Sequence, residues 1–169
     1  MLFLETERTK ITEISTSDAP FILELVNSPE WLRYIGDRNI HSISDAENYI
    51  TNTYVNSFNQ FGFTYYLVSL KNNTQIGICG FLQKIYLKNP DFGFAFMPEY
   101  HNQGFGYESG NAILKYGLDE FGLNNIDAIT MSDNNPSIKL LLKLGFIQDG
   151  IITMPETKEE LNFFYYKAE

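Results

Sequence analysis

Cysteine is nearly absent: Cys79 is the only one in 169 residues. A single thiol cannot close an internal disulfide, which fits a reducing compartment. Its setting, Ile76-Gly77-Ile78-Cys79-Gly80-Phe81, suits a buried and inert thiol rather than a nucleophile. Positive charge is scarce too. Lys and Arg number 12 against 21 Asp and Glu, a formal net charge of −9. An acidic surface repels phosphate backbones and anionic lipid, so neither nucleic acid nor membrane is an expected partner. No stretch approaches the roughly 18 apolar residues of a spanning helix. Met1-Leu2-Phe3-Leu4 is too short for a leader core, and Glu5 and Glu7 follow at once. The expectation is a soluble, cytoplasmic protein. The two histidines, His41 and His101, lack metal-ligand spacing, and no metal is expected. Repeats, low-complexity tracts and linkers are missing, and the length suits one domain over 1–169.

What is present is core material: 44% of residues are hydrophobic, with 14 Phe and 11 Tyr. Arg8 to Ile14 reads as a first strand. Ser17-Asp18 offers a cap for a helix over Ala19 to Val26, and Pro29 suits the first position of the next. Ser44-Asp45-Ala46-Glu47 has the form of a capping box for a helix to about Phe58, with Tyr49, Ile50, Tyr54 and Phe58 as its buried stripe. Phe63 to Leu70 and Gln75 to Phe81 flank the turn cluster Lys71-Asn72-Asn73-Thr74, which is a hairpin in sequence form. Strands at Phe92–Phe96 and Asn125–Met131 alternate with helices at Gly104–Phe121 and Pro136–Leu144. Two strands, from Phe146 and over Leu161–Tyr166, close the chain. The pattern predicts a mixed α/β (α+β) domain.

The most informative stretch runs from Phe92 to Glu108. A strand ends, Pro98 breaks it, and a loop with Gly104 and Gly106 opens a helix. The first turn of a helix carries amides without intrahelical partners and a partial positive charge, and glycine lets a ligand approach the backbone. Such a terminus can hold phosphate in a protein with few cations. No Gly-Lys-Ser/Thr follows, so it is not a Walker loop. The third glycine and the opening βαβ unit of a dinucleotide fold are lacking as well.

His101-Asn102-Gln103-Gly104-Phe105-Gly106 resembles the coenzyme A pyrophosphate loop of the GNAT acetyltransferases, Q/R-x-x-G-x-G/A, with His101 where the family prefers Gln or Arg. Downstream, Asn134 to Phe146 resembles the family's N-x-x-S … K-L-G-F helix. Thr6-Glu7-Arg8 with Asp18, and Ile76-Gly77 with Gly80-Phe81, are similar to the ribosomal-protein N-terminal acetyltransferase subgroup. The resemblance implies a central, mostly antiparallel twisted sheet with a splayed pair of strands, flanked by helices. It implies acetyl-CoA as cosubstrate and an amine as acceptor, either a protein or peptide N-terminus or a small molecule. The backbone of Phe94 and Phe96 would meet pantetheine. His101, Asn102, Gln103, Gly104, Phe105, Gly106 and Tyr107 would cradle the pyrophosphate, with Asn134 and Lys143 beside them. The oligomeric state is open, and a homodimer is allowed.

Direct attack on the thioester needs a neutral amine, a proton acceptor and a donor for the oxyanion. The resemblance points to Asp91 as base, with Glu99 second. The tyrosine that many relatives use on the leaving thiolate falls at Leu141, which leaves Ser137 or water. A noncatalytic coenzyme A-binding module of the same fold is the alternative, and segments 31–41 and 154–161 are expected to shape the acceptor side.

Overall fold

The computed structural model describes residues 3–168; Met1 and Leu2, in the short apolar start, lie outside them. The strands are β1 (Phe3–Glu5), β2 (Thr9–Glu13), β3 (Tyr65–Leu70), β4 (Gln75–Leu82), β5 (Asp91–Phe96), β6 (Asn125–Thr130), β7 (Ile147–Thr153) and β8 (Glu160–Lys167). They form one sheet in the order β1-β2-β3-β4-β5-β6-β8-β7. Every neighbouring pair is antiparallel except β5 and β6, which run parallel and share a single pairing, Asp91 with Asp127. The order is that of a mixed α/β fold.

Helices cover both faces. α1 (Ala19–Val26), α2 (Pro29–Tyr34) and α3 (Ile43–Tyr49) lie on one, followed by a π-helical stretch at Ile50–Val55 and α4 (Asn56–Phe61). Ile22, Leu25, Trp31, Ile50 and Tyr54 bury there against Leu67 and Ile78 of the sheet. α5 (Phe105–Phe121) and α6 (Asn135–Lys143) cover the other face, where Ile113, Leu114 and Leu141 meet Phe81, Phe92 and Phe164. Strand alternation assigns each side chain to its face. Phe92, Phe94 and Phe96 point to α5, while Gly93 and Ala95 point to the α1–α4 side.

Several local expectations are corrected. The first strand starts at Thr9, and β1 precedes it, pairing Leu4 with Ile11. Asp18 stands at the N-cap of α1 as expected, though without a side-chain capping bond there; its carboxylate instead closes a box on the preceding 3-10 turn Thr16–Asp18, Ser15 N–H donating to Asp18 Oδ2 at 2.8 Å. Ser42 rather than Ser44 caps α3, its Oγ accepting from Asp45 N–H at 3.1 Å. Ile50 and Tyr54 are buried as expected, but Phe58 is 41% exposed. The π-helical stretch explains this: its wider turn rotates the face that follows and carries Phe58 out of the stripe.

Candidate active site

β5 and β6 part immediately after Asp91 and Asp127, leaving a V-shaped opening between parallel strands. Residues facing it follow from ladder parity. In the β4–β5 pair Met97 N–H donates to Ile76 O at 2.9 Å, so odd positions of β5 bond to β4. Even positions turn their backbone groups the other way. Two bonds bear this out: Pro90 O accepts from Asp127 N–H at 2.9 Å, and Phe96 O lies 2.8 Å from His101 Nε2. Between them, the Phe92 carbonyl and the amide and carbonyl groups of Phe94 face the gap, the Phe92 amide being taken up by the pairing of Asp91 with Asp127. The Phe94 and Phe96 side chains pack against the α5-side core.

The loop after β5 leads from this gap to the start of α5. Asn102 and Gly104 take positive φ, 57° and 84°. At Gly104, the N-cap, a left-handed backbone is strained for any other common residue except Asn or Asp. No side chain caps α5. Its first intrahelical bond is Glu108 N–H to Gly104 O, at 3.0 Å. The preceding amides therefore have no intrahelical partner, the arrangement an anion can use. Phe105 is buried, Gly106 abuts Leu140 of α6, and Tyr107 carries Lys143 Nζ 4.3 Å from its ring centroid. Gln103 turns its side chain back, Nε2 donating to Glu99 O at 2.6 Å. Asn134 caps α6 by accepting from Ser137 N–H at 3.3 Å, so it organises a helix start.

Two residues 100 apart in sequence brace this loop. Arg8 Nε donates to Glu108 Oε2 at 2.7 Å, and Arg8 Nη1 to Gln103 O at 2.9 Å. The guanidinium carbon lies 4.4 Å over the Phe105 ring, and Nη2 lies beside Gly104. Burial works against the Glu108 charge, but its bonds to Thr6 and Arg8 outweigh this and hold the carboxyl below the usual glutamate range. Arg8, Tyr107, Glu108 and Lys143 line a cleft of about 490 Å³. The sequence offers Arg8 within a family pattern and Glu108 at the end of the glycine-bearing stretch; nothing local reveals their pairing.

At the closed end of the V, Asp91 is 3% exposed. Its Oδ2 bonds Lys84 Nζ at 3.1 Å, and its Oδ1 is enclosed without a partner. Burial outweighs the attraction of Lys84 and lifts the Asp91 carboxyl above the ordinary carboxylate range. Lys84 is raised as well: burial opposes its charge, and Asp91 together with Tyr86 more than compensates. Asp127 accepts from Asn89 N–H at 3.1 Å and Asn89 Nδ2 at 3.0 Å. Leu141 is buried in the α5-side core, while Ser137 is half-buried at the start of α6.

His101 does not turn toward the α5 terminus. Its Nδ1 lies 2.9 Å from Glu30 Oε2, opposite the Nε2 contact to Phe96 O. Arg33, one turn further along α2, bonds Asp133 Oδ2 at 3.0 Å in the loop after β6. α2 is thus tied to the loops following both arms of the V. The turn after Met154 closes the β7–β8 hairpin through Met154 N–H to Glu159 O at 2.8 Å. Among the described residues no group of three or more His, Cys, Asp or Glu is arranged around a metal position, and no helix is long and apolar enough to cross a membrane.

Residues 8–147 match the acetyltransferase (GNAT) domain family. YoaA of Bacillus subtilis strain 168, an uncharacterized N-acetyltransferase, is 30% identical over 152 residues, 88% of this chain and 85% of that protein. The fold is shared with the ribosomal-protein-S5-alanine acetyltransferase of Vibrio fischeri (TM-score 0.82, 17% identity, 99% and 97% of the two chains). It is shared also with RimL, a ribosomal L7/L12 alpha-N-protein acetyltransferase solved with coenzyme A (TM-score 0.79, 15% identity, 98% of each chain).

Proposed function

The chain belongs to the GNAT acetyltransferase family and is an acetyl-CoA-dependent acyltransferase; from that premise we propose that it moves the acetyl group to a primary amine, on a peptide N-terminus or a small molecule, by direct attack. The observation that carries this reading is the V beside β5, with unpaired backbone groups leading to an uncapped helix start. A pantetheine arm has amides to pair with Phe94 and Phe96, and a pyrophosphate has the amides of residues 102–107 to accept from. Asn102, Gly104 and Gly106 shape that cradle, with Arg8 Nη2 and Lys143 as the nearest cations. Phe94 N–H facing the gap suits an oxyanion donor.

Asp91 is the base in this reading. Its raised carboxyl takes a proton more readily than a solvated one. Ser137, at the start of α6, or water supplies the proton to the departing thiolate. The acceptor enters from the α1–α4 side, past Trp31–His41. The net charge of −9 draws cationic amines toward the protein but also favours their protonated, unreactive form, which is why a base is needed. The lone buried thiol of Cys79 suits a reducing, cytoplasmic setting.

The test offers acetyl-CoA with short peptides bearing free N-termini, polyamines and amino acids at about pH 8, where more of each amine is neutral. Acetylated amine should appear by mass spectrometry together with free thiol. Acetylation of O- or S-acceptors alone would refute the N-acetyltransfer.

A further inference from the structure

Tyr65 belongs to β3, two strands away from the V, yet its hydroxyl reaches β5. Tyr65, Gly80 of β4 and Gly93 of β5 stand opposite one another across three strands. All three positions face the α1–α4 side. With no side chain at Gly80 or Gly93, the Tyr65 ring lies in a trough over β4. An ideal Cβ on Gly93 would sit 2.7 Å from Tyr65 Cζ and overlap the hydroxyl itself. At Gly80 it would sit 2.7 Å from Tyr65 Cα and run into Thr64 O. The two glycines thus deliver a phenol to the third residue of the splaying strand.

Asp91 lies two residues before Gly93 on the same strand and face, with its Oδ1 buried and unpartnered. It sits at the closed end of the V, where β5 and β6 still pair, and is 3% exposed. An amine attacking beside Phe94 is farther along the strand than Asp91, and Gly93 stands between. Tyr65 is half-buried, and the ring of Tyr54 packs 5.9 Å from its own. Burial keeps its hydroxyl protonated, with the Asp91 charge adding to that effect.

We propose that Tyr65 is a catalytic residue that relays the proton of the attacking amine to Asp91. As the amine nitrogen bonds to the acetyl carbon, its N–H passes to Tyr65 Oη, while the Tyr65 hydroxyl proton passes to Asp91 Oδ1; the two groups are not hydrogen-bonded in this structure, and that bond forms when the amine is bound. Collapse of the tetrahedral species breaks the C–S bond and releases the thiolate. The thiolate gains a proton from the α6 start or water, and Asp91 later returns its proton to solvent. Lys84 holds Oδ2 at 3.1 Å, which leaves Oδ1 as the free acceptor.

This rests on the N-acetyltransfer reading above, and the test separates the two. Tyr65→Phe keeps the ring in its trough and removes only the oxygen. With the best amine from the panel, kcat should fall about a hundredfold or more, the range of a lost proton-transfer group. KM for acetyl-CoA and the melting temperature should stay at wild-type values. Tyr65→Phe combined with Asp91→Asn should be no slower than Asp91→Asn alone, because both act on one proton path. An unchanged kcat in Tyr65→Phe, or effects that multiply in the double variant, overturns the relay. So does a loss of kcat that comes with a lower melting temperature and a higher KM for acetyl-CoA, which would mark a packing role. A wild-type protein that acetylates no amine removes the N-acetyltransfer reading and the relay together.

Discussion

Replacing Arg8 by Met should loosen the glycine loop before α5 while leaving the sheet in place. Arg8 contributes two charge-assisted or carbonyl hydrogen bonds, to Glu108 at 2.7 Å and Gln103 O at 2.9 Å, and a stack on Phe105 at 4.4 Å. The Arg8 side chain is 43% exposed, against 17% for Glu108, so solvent screens the pair. That discounts the ion pair to about 1 kcal/mol rather than the 3 or more of a buried one. The stack on Phe105 adds about 0.5–1 kcal/mol. Loss of roughly 1.5–2 kcal/mol corresponds to a melting temperature about 3–8 °C lower for a domain of this size. The same brace holds Gln103 and Gly104, so acetyl-CoA affinity should fall about tenfold by calorimetry. Arg8→Lys should behave nearly as badly, because an ammonium cannot reach Glu108, Gln103 O and the Phe105 face in one fork. If Arg8→Met and Arg8→Lys melt and bind acetyl-CoA like the wild type, the brace contributes nothing and this reasoning fails.

Two further outcomes are expected. Gly104→Glu combines a side chain at φ 84° with a negative charge at the anion site, so a folded variant should bind acetyl-CoA at least about tenfold more weakly; equal affinity would move the pyrophosphate elsewhere. The Glu108 carboxyl is lowered in the folded state, so its contribution to stability is complete above the ordinary glutamate range and is lost as pH falls through the lower folded value. The stability gap between wild type and Glu108→Gln, measured by thermal melts from about pH 6 to about pH 3, should shrink toward the acid end; a constant gap would mean that this carboxyl does not titrate with the fold.

Much was legible in the chain because its signals are local. Periodicity and capping gave the hairpin of β3 and β4, the long α5 and the short α6. Pro98, Gly104 and the start of α5 are neighbours in sequence, so the broken strand, the glycine loop and the helix it opens could be read directly. β1 escaped notice because three residues carry too little periodicity to stand apart from β2. Phe58 was misjudged because a π-helical stretch breaks the 3.6-residue count without any proline or glycine to announce it. His101 fell within the phosphate motif, yet its side chain bonds Glu30 and Phe96 O.

By itself the sequence determined the element order, the glycine-bearing loop and the family to which that loop belongs, since each depends on residues close together along the chain. The tertiary structure decided what those residues face. The single β5–β6 pairing opens the V, Arg8 crosses the chain to brace a loop 95 residues away, and two glycines on adjacent strands clear a path for Tyr65. These depend on strand order and register, which bring distant backbones within a few ångströms, and no local pattern of side chains encodes that distance.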